Sequence, residues 1–369
     1  MNFQTEVQSK VYPAPVHTRP RTETDVRVER LTPDLERAWD NYVADASDCS
    51  PFHELGWMRA VGRVYGHRPH YFTARAGNDG SLSGVLPLFE VRGPLTGHAL
   101  ISVPYGVSGG ASADNAAVAT VLHDHTKSLA DDLSVRYAEV RAAEPIPGYS
   151  SRNDYVSFRK AIPDDPKDVL ETYPRKARAA IRNAIKKFGL QARFGHELLD
   201  DFYKLYALSL RRLASPPHAK AFFRELLREF GERCIVQLVY HEGCAIAGCI
   251  SFRFQNEILP YWAGIDTKHN DTNASNFLYY SLMQHAVGLK LEIFDFGRTR
   301  LDNEGGCRFK MHQGFEPLPL AYSTYSPGGE QPPDLRPSNR KFSLAQTVWK
   351  RLPLSVVKLS SRTITRWLP

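Results

Sequence analysis

The most regular hydrophobic pattern in the chain lies between residues 273 and 289. Ala274, Phe277, Leu278, Leu282, Ala286 and Leu289 recur at helical steps of three and four, and Asn273 or Ser275 is placed to cap the start. His285 shares that stripe and reads as a core residue. The segments HEGCAIAGCISFRF (241–254) and EILPYWAGI (257–265) precede this helix and read as strands, with a Glu-Gly turn at the start. FDFGR (294–298) follows as another strand.

The same order occurs earlier. NDGSLSGVLPLFEV (78–91), ALISVPYGV (99–107), a helical segment near 112–133 and YAEVR (137–141) repeat turn, strand, helix and a strand ending in Arg. Gly80 to Arg141 is 61 residues and Gly243 to Arg298 is 55, which predicts an internal duplication with a period of roughly 160. The predicted architecture is α/β with mixed sheets in two tandem domains, 25–165 and 166–325. A polar N-terminal tail (1–24) precedes them, and residues 326–369 follow as linker and tail.

That last segment has its own character. PGGEQPPDLRPSN (327–339) reads as a linker, and no acidic residue follows Asp334. Arg336, Arg340, Lys341, Lys350, Arg351, Lys358, Arg362 and Arg366 interleave there with Trp349, Leu352, Val356, Val357, Ile364 and Trp367. Such a basic amphipathic tail either lies on an anionic membrane face or packs back on the body.

Composition narrows the class. Hydrophobic residues are 42% and charged residues 24%, with no apolar run of membrane-spanning length. The first twenty-odd residues are polar and broken by Pro13, Pro15 and Pro20, so a cytoplasmic protein is expected. Cys49, Cys234, Cys244, Cys249 and Cys307 are odd in number and lack zinc spacing, which predicts reduced core thiols and no metal. A net charge of +7 favours anionic partners.

One basic element is sharper. YPRKARAAIRNAIKKFG (173–189) reads as a helix closed by Gly189, with Arg175, Arg178, Arg182 and Lys186 along one face. Residues 172–193 hold seven Lys or Arg and no acid. Such a row is either a solvated face or a phosphate-binding surface, and the missing counter-charges favour phosphate.

Asp295-Phe296-Gly297 matches the magnesium-binding tripeptide of protein kinases, but no H-R-D precedes it and no A-P-E follows, which excludes that reading. The segment is a strand with charge at its end, where α/β domains bind ligands. Asp295, Arg298, Arg308 and Lys310 cluster there in sequence; a structural Asp–Arg pair anchoring a loop is the plainer alternative.

The pattern FDFGR…GCRFKMHQGFEPLPLAY (294–322) resembles the closing motif of FemAB-type proteins, in particular the branch associated with exopolysaccharide and exosortase (PEP-CTERM) loci. SGVLPLFEV with ISVPYGVSGG (83–110) and WKRLPL (349–354) extend the resemblance over roughly residues 40–369, although Ser360-Ser361 stands where that branch has Gly-Pro. The resemblance implies two tandem GNAT-like acyltransferase domains. It implies transfer of an aminoacyl or acyl group to an amine or hydroxyl of a lipid- or nucleotide-linked peptidoglycan or exopolysaccharide precursor. The expected donor is aminoacyl-tRNA or acyl-CoA, with no tightly bound cofactor; the tRNA-contacting helical arm of some relatives has no room here.

Acyl transfer to an amine needs a neutral amine, a stabilised oxyanion and aligned substrates. By this resemblance the strands that splay around the acyl group are YWAGI (261–265) and FDFGR. Asp295 is then the candidate to orient or deprotonate the amine, Arg298 and Lys310 to bind an acidic substrate group or support developing charge, and Tyr261 and Tyr105 to supply hydroxyls. Gly109 and Gly110 in GVSGGA (106–111) are either a degenerate pyrophosphate loop or turn glycines, and TKHNDTNAS (267–275) has no glycine at all. Two other functions stay open: an acetyl-CoA-dependent sugar acetyltransferase, and a non-catalytic adaptor that binds precursors.

Overall fold

The computed structural model describes residues 26–76, 80–335, 339 and 343–369. The expected N-terminal tail, Asp79 of the first turn, and Arg336, Arg340 and Lys341 lie outside the described residues.

The elements up to the chain midpoint are β1 (Val26–Arg30), α1 (Glu36–Asp45), α2 (Leu55–Tyr65), β2 (Arg68–Ala76), β3 (Gly84–Gly93), β4 (Gly97–Ser102), β5 (Ser112–Ala113), α3 (Ala116–Asp132) and β6 (Tyr137–Ala142). Then come β7 (Ser150–Ala161), α4 (Arg175–Lys186), β8 (Gln191–Phe194), α5 (Leu199–Arg212), α6 (Lys220–Phe230), β9 (Cys234–His241), β10 (Cys244–Phe254) and β11 (Glu257–Ile265). The chain ends with α7 (Ala274–Gly288), β12 (Ile293–Asp295), β13 (Thr299–Arg300), α8 (Glu304–His312), β14 (Glu316–Tyr325), α9 (Ser343–Arg351) and α10 (Leu354–Arg366).

The chain divides into two compact units. The first comprises residues 26–154, 319–335 and 363–369; the second comprises 155–318 and 343–362. In the first unit β1, β2, β3 and β4 are antiparallel neighbours and β4 is parallel to β6. In the second, β8, β9, β10 and β11 are antiparallel neighbours, β11 is parallel to β12, and β12 is antiparallel to β7. Among the described residues each unit therefore shows a parallel pair bridged by a helix, α3 or α7, as a crossover between parallel strands requires. The fold is mixed α/β with two units of like strand order and a helical tail.

Local chemistry accounts for the turns. Asn115 caps α3 by accepting the N–H groups of Ala117 and Val118. Glu242 and Gly243, at φ 50° and 77°, form the left-handed turn that joins β9 to β10. Gly264 is glycine because α5 crosses β11 closely: a Cβ there would lie 2.4 Å from the Tyr206 backbone nitrogen.

The units do not follow the sequence boundaries at 165 and 325. Residues 321–325 of β14 pair with β6, from Ala321↔Ala142 to Tyr325↔Ala138. The strand after α8 thus completes the first unit's sheet, and residues 155–161 of β7 belong to the second. Strand pairing between segments so far apart leaves no mark in local periodicity.

The tail packs on protein. Val357 and Ser361 of α10 are buried, Lys358 lies over the Tyr203 ring, and Arg211 donates to the Leu352 carbonyl at 3.2 Å, all in the second unit. In the first unit, Tyr105 donates to the Thr365 carbonyl and Thr96 to that of Trp367. Among the described residues no helix is long and apolar enough to cross a membrane.

Candidate active site

In the second unit the parallel pairing of β11 with β12 is brief. Glu257 faces Ile293 and Ile258 faces Phe294, and there the pairing stops. The cause is β7. Asp295 pairs with Arg159, the Phe296 N–H donates to the Phe158 carbonyl at 2.7 Å, and Thr299 pairs with Val156. The chain beyond β12 thus stays with β7 while β11 continues beside β10, and the two strands part. The register of β10 and β11 also slips, leaving Tyr261 as an extra residue between Pro260 and Trp262. Bulges of this kind re-aim a strand next to a site.

Lys310, from α8, meets the chain just beyond the end of β12. Its ammonium donates to the carbonyls of Phe296 and Gly297 at 2.7 and 3.1 Å and lies over the Phe158 and Phe296 rings. Burial lowers its pKa to about 8, against an opposing pull from Asp295. Two of its three donors are thus committed to main chain.

Asp295 is arranged differently from its sequence expectation. Its Oδ1 accepts the Gly297 N–H at 2.7 Å and the Ser157 hydroxyl at 3.0 Å, and Oδ2 lies 3.7 Å from Arg159 Nε. The carboxylate therefore pins the turn in which Gly297 has φ 63°. Alternation along β7 puts Ser157 and Arg159 on one face and Phe158 and Lys160 on the other. Asp295, opposite Arg159, shares the face away from the Phe158 ring that Lys310 covers.

The remaining predicted residues disperse. Arg298 stacks over the Tyr155 ring at 5.0 Å. Arg308 pairs with Glu304 along α8 in solvent, so the cluster read at 295–310 is not one constellation. The Tyr261 ring meets Trp262 edge-on with centroids 4.4 Å apart. Sequence reasoning missed Lys160, whose Nζ donates to the Thr172 and Gln313 carbonyls and whose pKa burial lowers to about 8. It also missed Arg159 and its ion pair with Glu257. The two-residue alternation of β7 was the available signal.

The first unit differs at the equivalent place. Pairing of β4 with β6 runs from Ala99↔Tyr137 to Ser102↔Val140, and beyond it Arg141 closes the strand ends. Its Nη1 donates to the carbonyls of Val103 and Gly106, both at 2.8 Å, and its Nε to Glu139. The N–H groups of Gly109 and Gly110 both donate to the Arg141 carbonyl at 3.1 Å, which leaves them none for a phosphate; they serve the turn. Tyr105 is buried, its hydroxyl shared between His67 and the Thr365 carbonyl, and it offers no group to a substrate.

The basic face of α4 carries Arg175, Arg178, Arg182 and Lys186, all but Arg178 exposed. Glu171, one residue before the acid-free window, pairs with both Arg178 and Arg182. Two of the four cations therefore have a counter-charge, which corrects the premise that none is near. Of the cysteines, Cys234, Cys249 and Cys307 are buried thiols, whereas Cys244 is exposed at the start of β10 rather than in the core. Among the described residues no cluster of His, Cys, Asp or Glu could hold a metal ion.

Residues 175–311 match the family model described as an acetyltransferase (GNAT) domain. No curated protein matches the sequence. Among solved structures the fold is similar to FemX, with a TM-score of 0.64 and 13% identity over 80% of this chain and 96% of that one. It is similar to a tandem GNAT protein from the clavulanic acid biosynthesis pathway, with a TM-score of 0.51 and 10% identity over 83% and 100% of the two chains. It also resembles L-PGS from Bacillus licheniformis, with a TM-score of 0.50 and 14% identity over 88% and 98%. The fold is that of tandem GNAT proteins, and the gap between β11 and β12 lies inside the matched GNAT segment.

Proposed function

We propose that the second unit is an acyltransferase, moving an aminoacyl or acyl group to an amine of a lipid- or nucleotide-linked cell-envelope or exopolysaccharide precursor. The observation that carries this reading is the parting of β11 from β12, with the Lys310 ammonium held by the carbonyls of Phe296 and Gly297 just beyond the end of β12. A carbonyl bound in the gap would meet a desolvated cation as its oxygen gains charge, the arrangement acyl transfer requires. The amine attacks the acyl carbon, the carbonyl oxygen becomes an oxyanion near Lys310, and the donor's oxygen or sulfur leaves with the electron pair. Asp295 holds the turn that positions the Phe296 and Gly297 carbonyls. The amine's proton passes to solvent or to the leaving group, since Asp295 Oδ1 is engaged by two donors.

The donor is read from what surrounds the gap. The segment from β11 to α7 forms a short turn capped by Asp266, which accepts the Lys268 N–H, and it contains no glycine. That speaks against a pyrophosphate cradle of the usual glycine-rich kind and favours aminoacyl-tRNA, the donor implied by the FemAB resemblance. The basic α4 face, with Arg175 and Lys186 outside the Glu171 pairs, suits phosphates of that donor or of the precursor. The first unit, its strand ends closed by Arg141, serves as partner domain without chemistry of its own.

The test is incubation of the full chain with labelled aminoacyl-tRNA or labelled acetyl-CoA and extracted glycolipid or nucleotide-linked precursors. Label transfer from aminoacyl-tRNA is the expected result. Transfer from acetyl-CoA alone would replace the donor assignment with a sugar acetyltransferase, and transfer from neither would leave a precursor-binding adaptor.

A further inference from the structure

We infer that the exposed face of α9 and α10 docks the protein on the surface of an anionic phospholipid membrane. Helical spacing places Leu344, Val348 and Arg351 along one stripe of α9. Leu344 is 76% exposed and Val348 52%, large values for branched aliphatic side chains. On α10, Val357 and Ser361 are turned to the protein and buried. Leu359, about 200° around the helix from Val357, faces away and is 86% exposed; Val356 is 43% exposed. Four of the six large hydrophobic side chains most exposed among the described residues thus fall on these two helices.

The surrounding charge identifies the occupant. Lys350, Arg351 and Arg362 are exposed on the same two helices, and no Asp or Glu occurs after Asp334. Aliphatic side chains whose only charged neighbours on the two helices are cations, with Asp200 of the body beside Lys358 on the packed side, match an interface with apolar acyl chains beneath anionic headgroups. A second copy of this acid-free face would set cation against cation. Anchoring comes from the opposite side of the helices: Val357 and Ser361 are buried, Lys358 covers the Tyr203 ring, and Arg211 holds the Leu352 carbonyl. The helices are therefore fixed to the second unit while presenting the apolar stripe outward. Attachment would be peripheral and salt-sensitive. It stands independently of the acyltransferase reading.

The experiment is co-sedimentation of the full chain with vesicles of phosphatidylglycerol mixed with phosphatidylcholine, and with vesicles of phosphatidylcholine alone. Binding to the anionic vesicles only, weakened by added salt, is expected. The double variant Leu344→Glu with Leu359→Glu should lower the bound fraction about tenfold or more. Both positions are solvent-exposed, so far-UV circular dichroism and Tm should stay at wild-type values. Lys350→Gln with Arg351→Gln should weaken binding and flatten its salt dependence. Wild-type protein that stays in the supernatant with both vesicles would overturn the inference, as would equal sedimentation of wild type and the Glu variant. Light scattering supplies a further check: a wild-type dimer dissociated by the Glu substitutions, without vesicle binding, would assign the face to a second copy instead.

Discussion

The Lys310 ammonium lies 2.7 Å from the carbonyl oxygen of Phe296, at the point where the last core strand of the second unit has left its parallel neighbour. Under the proposed acyl transfer, this buried cation held by main-chain carbonyls is the group that would meet the developing negative charge.

Lys310→Met should reduce kcat by about 10²–10³-fold with little change in KM, the loss typical of one oxyanion-stabilising donor. Steady-state kinetics in the label-transfer assay measure this, and a variant within threefold of wild type would remove Lys310 from the chemistry.

The same residue sets a pH dependence. With a pKa of about 8, Lys310 is charged below that value, so activity that depends on the cation should fall as pH rises through 8. Stability should move the opposite way. The folded pKa lies below the unfolded value of about 10.4, so the unfolded chain binds more protons between the two. The cost of burying the charge is fully present below pH 8 and is relieved as pH rises toward 10.4. Lys160, lowered in the same way by burial, adds to that trend. Chemical denaturation from pH 7.5 to 10, compared with Lys310→Met, tests the sign.

Asp295→Asn should retain the fold and most activity, because the amide oxygen can still accept the Gly297 N–H and the Ser157 hydroxyl. Asp295→Ala should cost about 1–3 kcal/mol by leaving those donors unmatched. Equal loss of activity in both variants, with Asn stable, would restore the carboxylate as a base.

In the first unit Arg141→Met should destabilise by about 3 kcal/mol or more, since Glu139 loses its buried partner and two carbonyls lose their donor. Arg141→Lys should not rescue it, because one ammonium cannot reproduce the forked geometry. Urea unfolding decides, and a lysine variant of wild-type stability would contradict the argument.

On α4, Arg178→Ala with Arg182→Ala should weaken binding of an anionic precursor and lower its salt slope. Glu171→Gln should strengthen it, by releasing both arginines from their shared counter-charge. Titration at two salt concentrations with a nucleotide-linked precursor tests both signs, and unchanged binding in both variants would mean the stripe is only solvated.

What the sequence determined by itself was the repeated grammar of the chain. Helical spacing from Ala274 to Leu289, the Glu242-Gly243 turn and the strand FDFGR are local, and periodicity with turn chemistry specifies them wherever they fold. The duplication followed from that grammar, and the GNAT-like class from the FemAB resemblance. Tertiary structure decided which side chains meet. Asp295 and Lys310 are 15 residues apart in the chain, yet they hold the same turn, one by accepting the Gly297 N–H and the other by donating to the Phe296 and Gly297 carbonyls. Glu171 pairs with two cations of a helix whose own sequence contains no acid, and Arg141 closes strand ends that in the second unit stand open. β14 joins β6 across more than 170 residues of sequence. Strand register and long-range ion pairs depend on backbone partners that no local pattern encodes, so the site's residue types were legible in the chain while their roles were set only by the fold.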